Sequence, residues 1–403
     1  MPKLFLGGMD NRVKQLSILG FFNEFGRNLV SVYLPLYLFA TLQAPYELVG
    51  LALTITSGTS AFFQIVGGIV ADSWGRKRAM LLSSGIKIPI LAILAIGSQM
   101  GISIMTFVVL YVATEALSGI YLTSSHAMIA DVTEKHRRTE AYGIYRIGVN
   151  LGFTLGAFVG GFIAAFSILF AIWLLCVSVA AGTILFFVAE SHRPTGEKFR
   201  PLTVFGAVRD RALLEFGLVS LVAGLVANQM GATFALYTTS HLSITREQLG
   251  ALYSLNGAMI IALQYPLARL VLRYRLSKLL AIASAFRAFG FLLISIASDF
   301  YLLQVVIVAL TLGEMIQAPS ASSYAASIAP EKKRGEYLGF HNWAWNSGQA
   351  LSAVVGGCLL GLLMPAGYVT WYIVFVIGMT CTFFYVHIAK KARRMIPRLD
   401  DML

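Results

Sequence analysis

Twelve apolar runs, each about long enough to cross a bilayer, dominate the sequence and leave few folds open to it. They fall at about residues 13–41, 49–71, 79–98, 102–129, 141–163, 166–189, 213–239, 248–270, 279–297, 300–328, 337–362 and 367–389. Lipid offers backbone groups no hydrogen-bond partner, so each run must satisfy its own as a helix. Only 12% of the 403 residues are charged, against about 25% in a soluble domain. The fold class expected is therefore all-α and integral to the membrane, with twelve transmembrane helices. The N-terminal stretch has no apolar core followed by a small-residue cleavage site, so no removable signal is expected and the first helix stays.

A net charge of +12 would suggest nucleic acid in a soluble protein. Here Lys and Arg gather in every second loop: around 76–78, 135–138, 193–211, 273–278, 332–334 and the tail beyond 390. By the positive-inside rule both termini and those loops are expected to be cytoplasmic, in a cell membrane, with no nucleic-acid partner. Cys176, Cys358 and Cys381 all lie within spans without metal-ligand spacing, and read as packing residues. No metal cluster, nucleophile-base constellation or phosphate loop is present, so neither an enzyme nor a cofactor is expected.

The chain repeats itself. A shift of 200 residues lays Asn28 on Asn228, Tyr37 on Tyr237, Gly50 on Gly250, Gln64 on Gln264 and Lys87 on Arg287. A shift of 199 lays Glu115 on Glu314, and one of 196 lays Asn150, Gly152, Gly160 and Gly161 on Asn346, Gly348, Gly356 and Gly357. Two pseudo-symmetric six-helix bundles follow, residues 1–189 and 213–403 with a short basic tail, joined by a polar linker at 190–212. Two parallel halves around a midplane cavity are the arrangement expected of a secondary transporter.

Between spans 2 and 3 stands GGIVADSWGRKR, residues 67–78. Its Gly68, Ala71, Asp72, Gly75, Arg76 and Lys77 match, with Val70 for the usual Leu, the signature loop that the chain's resemblance to the major facilitator superfamily rests on. The resemblance covers essentially the whole chain. It implies that Gly68, Asp72, Gly75, Arg76 and Lys77 act as a conformational switch, bridging to neighbouring helices in one state. In the second half Leu272 stands where Asp72 does. Span 5 carries GFTLGAFVGG, which resembles the antiporter motif of the superfamily with Ala157 in place of its Pro. Gly152, Gly156 and Gly160, with Gly161, let two helix backbones approach closely. The motif is associated with exporters, and within the superfamily the chain resembles the drug:proton antiporter, or multidrug exporter, group. Many of those exporters carry an Arg in span 4 where this chain has Glu115; Arg146 or Lys87 is expected to supply the positive charge.

Ionisable groups in the hydrocarbon are costly, about 2.5–3.5 kcal/mol each on insertion scales, and each calls for a partner. They are Glu24 and Arg27 in span 1, Lys87 in span 3, Glu115 in span 4, Arg146 in span 5, Arg287 in span 9 and Glu314 in span 10. Counting about 1.5 Å per residue puts the acid and base of each half at similar depth. Lys87 with Glu115 and Arg287 with Glu314 are the expected pairs, either as fixed ties between helices or as parts of a proton relay. In span 1, Glu24, Arg27, Asn28 and Ser31 share a face. Glu24, pulled between pairing with Arg27 and burial, is the leading proton-coupling candidate, ahead of Glu115 and Glu314. A polar lining for substrate is expected from Asn28, Tyr37, Asn228, Gln229, Asn256, Gln317, Asn342 and Asn346. His126 and His341 read as polar packing residues or as titrating groups.

The function expected is proton-coupled export of small amphipathic molecules by alternating access. Uptake of a metabolite by symport or facilitation, and flipping of a lipid-linked substrate, remain the alternatives. The partners are the bilayer, a small-molecule substrate and protons, and the chain is expected to act as a monomer.

Overall fold

The computed structural model describes residues 11–134, 138–187, 210–271, 274–330, 333–364 and 366–395. Twelve helical segments follow one another: α1 (Asn11–Ser31), α2 (Tyr46–Trp74), α3 (Arg76–Gln99), α4 (Ile104–Val132), α5 (Arg138–Phe166), α6 (Ile168–Phe187), α7 (Arg211–His241), α8 (Arg246–Val271), α9 (Leu276–Ile294), α10 (Phe300–Ile328), α11 (Arg334–Leu363) and α12 (Val369–Met395). Among the described residues there is no strand. Ten of the twelve are long and apolar enough to span a membrane on their own. The two that fall short, α1 and α8, are interrupted by groups such as Glu24, Arg27, Asn256 and Gln264. Packing against neighbours has to compensate for the low hydropathy of both helices.

Two helices are broken, within about a turn of the same place in the repeat. After Ser31, α1 turns at Val32 and Tyr33, restarts at Leu34–Leu36 with Pro35 in its first turn, and ends as a π-helical turn, Tyr37–Thr41. Proline suits a first turn because the missing N–H would have no partner there. In α7 the α-helix Arg211–Ala227 tightens into a 3₁₀ turn at Asn228–Met230, and Gly231 carries the chain into Ala232–His241. Helix starts are fixed by side-chain caps. Asp210 accepts from the amides of Ala212 (2.8 Å) and Leu213 (3.4 Å), and Asp299 from those of Tyr301 and Leu302, both at 2.9 Å.

The chain divides into two compact units. Unit 1 holds residues up to Leu42, Ile55–Phe199 and Thr245–Gly257; unit 2 holds Gln43–Thr54, Arg200–Ile244 and the chain from Ala258. The first turns of α8 thus belong to unit 1, where Ser254 donates to the Thr154 carbonyl at 3.0 Å. The first turns of α2 belong to unit 2, where the Val354 amide donates to Thr54 Oγ1 at 3.0 Å.

Within each unit the same packing device recurs. In unit 1, Gly148, Gly152 and Gly156 of α5 lie against the Ser17, Phe21 and Phe25 carbonyls of α1, so close that a Cβ at any of the three would collide with backbone. Gly160 meets Leu29 and Tyr33 in the same groove, and Gly161 meets Tyr33 and the start of α8. In unit 2, Gly224 of α7 sits on the Trp345 carbonyl and Gly348 of α11 on the Leu221 carbonyl. Small residues let helix backbones touch where lipid supplies no hydrophobic drive. The broken helices α1 and α7 are thereby clamped against α5 and α11.

Candidate functional site

Unit 1 concentrates its buried charge where α1, α3 and α4 meet. Arg27 of α1 is the hub: its Nη2 donates to Glu115 Oε2 of α4 at 3.0 Å, and its Nη1 lies 3.9 Å from Glu24 Oε1 one turn back. The two acids differ in setting. The Glu115 side chain is 4% exposed and the Glu24 side chain 23%, so Glu115 is the embedded anchor and Glu24 the accessible member. Asn28 donates to Glu24 twice, to the carbonyl at 2.8 Å and to Oε2 at 3.2 Å. Lys87 of α3 is buried and donates to Ser118 of α4 at 2.8 Å.

The expected pairing of Lys87 with Glu115 is thus corrected. Arg27, 88 positions away in sequence, takes the carboxylate, and the lysine turns to a hydroxyl one turn further along α4. Geometry favours this outcome, since a guanidinium can serve two carboxylates at once while a lysine ammonium acts as a point charge. Among the described residues the cation on Glu115 is Arg27, and Arg146 is an exposed residue of α5.

In unit 2 the equivalent positions are wired differently. Arg287 is buried, with Nη2 4.0 Å from Glu314 Oε2 and its guanidinium 5.9 Å from the Trp345 ring centre. The Glu314 side chain is 40% exposed. Gln317, one turn along α10, is buried with neither amide atom hydrogen-bonded.

At the turn between α2 and α3, Arg76 joins two acids. Its Nη1 lies 2.5 Å from Asp72 Oδ1 and its Nε 3.1 Å from Asp131 Oδ2 at the end of α4. Gly75 has φ +92°, a conformation that side-chain-bearing residues rarely adopt, and it lets α3 begin immediately after α2 ends. Lys77 lies over the Phe186 ring of α6 at 5.9 Å. The turn is therefore tied to α4 and α6 as well as to itself.

The Major Facilitator Superfamily profile matches residues 16–239 and again 216–399. The chain belongs to the major facilitator superfamily. It is similar to YdeE of Escherichia coli (strain K12), described as an uncharacterized MFS-type transporter, with 24% identity over 85% of this chain and 87% of that protein. It is also similar to the multidrug resistance protein MdtH of Yersinia enterocolitica (serotype O:8), with 22% identity over 82% of this chain and 83% of that protein. Among solved structures, the nucleoside transporter NupG shares its fold with a TM-score of 0.80, at 16% identity over 94% of this chain and all of that one. A POT family transporter in complex with 5-aminolevulinic acid has a TM-score of 0.80, at 14% identity over 96% of this chain and 97% of that one. The protein is a multi-pass membrane transporter and not an enzyme.

For a superfamily transporter the residues expected to line a substrate path divide sharply by exposure. Asn342 and Asn346 of α11 are exposed and one turn apart, so they present amides on a single face. Gln349 continues the face, but its carbonyl is taken by Asn228, which donates to it at 3.0 Å and to Ser352 at 2.8 Å. Gln229 is fully buried between Thr233 and the Ser352 carbonyl. Tyr37 is packed on Phe107 with ring centres 5.1 Å apart. Asn28, Asn256 and Gln317 are buried as well. In this structure Asn28, Tyr37, Asn228 and Gln229 are engaged within the protein: Asn28 on Glu24, Tyr37 against Phe107, and the two amides of α7 on α11 beside the turn at Asn228–Met230. His341 is buried against Ser220, with Nδ1 2.9 Å from its hydroxyl. His126 stands edge-on to Tyr142 and Tyr145. Leu272, the counterpart of Asp72, lies outside the described residues.

Sequence reasoning missed Asp131 and Ser118. Asp131 follows an apolar run by two residues and carries no spacing signal, and Ser118 is one of three serines in α4. The signal that could have found Asp131 is chemical: Arg76 is a fixed cation at the start of a helix, where the macrodipole disfavours it without a second acid.

Proposed function

We propose that the protein exports small amphipathic molecules in exchange for protons, by alternating access, across a cell membrane with both termini cytoplasmic. The observation that carries this reading is the sharing of Arg27 between an embedded acid at 3.0 Å and a more accessible one at 3.9 Å. A carboxylate losing its cation in a poorly solvated place takes up a proton; regaining the cation expels it. Arg27 can make that switch by a small side-chain motion, with Glu115 as its resting partner and Glu24 as the proton carrier. Lys87, fixed on Ser118, keeps a second positive charge near the pair, so the group stays near neutrality while Glu24 is charged.

Asn342 and Asn346 offer exposed hydrogen-bond donors and acceptors for the polar groups of an amphipathic substrate. The turn at Asp72, Gly75 and Arg76 is the conformational latch: Arg76 held by Asp72 and Asp131 ties α2 and α3 to α4 in one state of the cycle. The likeness to a protein named for multidrug resistance supports amphipathic cargo.

Transport in proteoliposomes tests this reading. With pyranine inside and an imposed pH gradient, adding ethidium is expected to drive protons opposite to the dye. Protons and dye moving in the same direction would establish symport instead. Dye flux that is indifferent to the gradient would establish facilitation.

A further inference from the structure

The two units treat one pair of helices differently. In unit 1, α1 is drawn onto α6: the Ser178 hydroxyl donates to the Phe22 carbonyl at 2.6 Å, Gly26 abuts Ser178, and Gly182 sits on the Phe22 side chain. In unit 2, the equivalent helices α7 and α12 pack less extensively. A cavity of about 420 Å³ opens between them. The repeat explains the gap, since Val222 stands where α1 has Phe22. A smaller side chain leaves a void that packing does not close.

This cavity has the layout of an amphiphile. Leu218, Val222, Cys381 and Phe384 form apolar walls, and Glu215 and His387 stand at one end. Because α7 and α12 run antiparallel, Glu215 and His387 lie at the same level, about 10 Å along the helix axes from Val222 and Thr380. Leu218 is 59% exposed and Phe384 53%, so the cavity opens on the face that meets lipid. At its polar end Arg211 pairs with Glu215 at 3.1 Å, with the Arg211 side chain 88% exposed. A cation and an anion stand there side by side, one helical turn apart. The unit 1 counterparts are Asn11 and Gln15, which carry no charge.

We propose that this groove is a lipid-binding site for one aminophospholipid, phosphatidylethanolamine. One acyl chain lies in the apolar channel between α7 and α12. The phosphate is received by Arg211, with His387 as a neighbouring donor, and the ammonium by Glu215. Neighbouring charges of opposite sign match a head group whose phosphate and ammonium are joined by a two-carbon bridge. A phosphatidylcholine head has the same charges but no N–H to donate to the carboxylate, and phosphatidylglycerol has no cation, so both bind less well. Removing the chain from this slot uncovers apolar wall that protein does not cover, and each buried methylene contributes about 0.8 kcal/mol when the alternative is water. Against surrounding lipid the apolar term nearly cancels, which leaves the head group to select the occupant.

The test is retention of lipid by the full-length protein. The protein is equilibrated in nanodiscs with equal parts of phosphatidylethanolamine, phosphatidylcholine and phosphatidylglycerol, and the lipid that survives release is identified by native mass spectrometry. The wild type is expected to keep one phosphatidylethanolamine in several-fold preference to the others. Val222→Phe, which imports the residue of unit 1, is expected to lose it. Glu215→Gln is expected to keep a lipid without the preference. Val222→Ala, which cannot fill the groove, is expected to behave as the wild type and shows that a change at this position alone does not release lipid. Equal retention by the wild type and Val222→Phe, equal loss from both Val222 variants, or no head-group preference in the wild type would each overturn the proposal.

Discussion

Units 1 and 2 carry an acid and a base at matching places in their repeat, and they use them in opposite ways. In unit 1 the embedded acid, Glu115, is held at 3.0 Å by Arg27 from α1, and the base Lys87 is left to a serine. In unit 2 the base, Arg287, is embedded beneath Trp345 while its acid, Glu314, is 40% exposed and 4.0 Å away. The difference traces to the first helix of each unit. Where α1 has Glu24 and Arg27, the shift of 200 finds Gly224 and Ala227 in α7. Gly224 is used to bring the Trp345 backbone of α11 close, so α7 gives up the charges and gains a tight helix contact. An internal repeat thus conserves where charges lie along the chain, while the partner each one finds depends on the facing helix.

Breaking each acid sharpens this contrast most. Glu115→Gln leaves the buried Lys87 and the partly exposed Arg27 beside a neutral group; loss of one partner of a buried ion pair costs about 3–5 kcal/mol, and the exposure of Arg27 puts the expected loss at the lower end, about 3 kcal/mol. Glu314→Gln breaks a longer pair, 4.0 Å against 3.0 Å, in which the acid rather than the base is the exposed member, and is expected to cost less, about 1–2 kcal/mol. Thermal unfolding of the two variants in detergent measures the gap, and equal losses would contradict the difference in wiring.

The glycine contacts are where the units should agree. Gly152→Val in α5 and Gly348→Val in α11 both push a side chain into a facing backbone, and overpacking of this kind costs about 1–3 kcal/mol. The two variants are expected to lose similar stability. A loss in one unit alone would mean that the close approach is needed only there.

Asp131→Asn acts on unit 1 only, by removing one of the two acids on Arg76. Asp131 meets Arg76 as an ion pair at 3.1 Å, and with Asp72 still in place the variant is expected to lose about 1 kcal/mol of stability. Transport is expected to fall more than stability, and Asp131→Glu is expected to restore part of it.

The smallest effect belongs to unit 2. Asp210 caps α7, and the Tyr337 hydroxyl together with the Ala212 and Leu213 amides hold its carboxyl below the usual carboxylate range. A depressed carboxyl contributes stability that is complete above its unfolded pKa, near 4, and is lost as the pH falls through the lower folded value. Asp210→Ala is expected to cost about 1 kcal/mol at neutral pH, the usual value of a cap, and the difference from wild type should shrink in acid. A difference that grows in acid would contradict the capping role.

Most of the fold is legible in the chain. Run lengths carry the twelve helices, and the matched glycines carry the repeat. The candidate site is legible in its members and less so in its connections. Helical spacing brings Glu24, Arg27 and Asn28 to one face, because those residues are neighbours through a single helix. The Arg27 to Glu115 contact joins positions 88 apart, and no period within either helix encodes it. The symmetry of the repeat pointed to Lys87 instead, since it assumes equivalent neighbours, and α1 and α7 are not equivalent. The same limit explains Tyr37 and Asn228. Both are polar groups in apolar runs, and nothing in their own helices encodes that Tyr37 packs on Phe107 of α4 or that Asn228 donates across to α11.

The central claim is that proton coupling resides in the Glu24, Arg27 and Glu115 group of unit 1. Gradient-driven ethidium transport in proteoliposomes, compared for the wild type, Glu24→Gln and Glu314→Gln with equal amounts of inserted protein, tests it most directly. We expect Glu24→Gln to abolish the dependence of dye flux on the pH gradient and Glu314→Gln to retain it. Gradient-dependent flux that survives Glu24→Gln and disappears in Glu314→Gln would contradict the account.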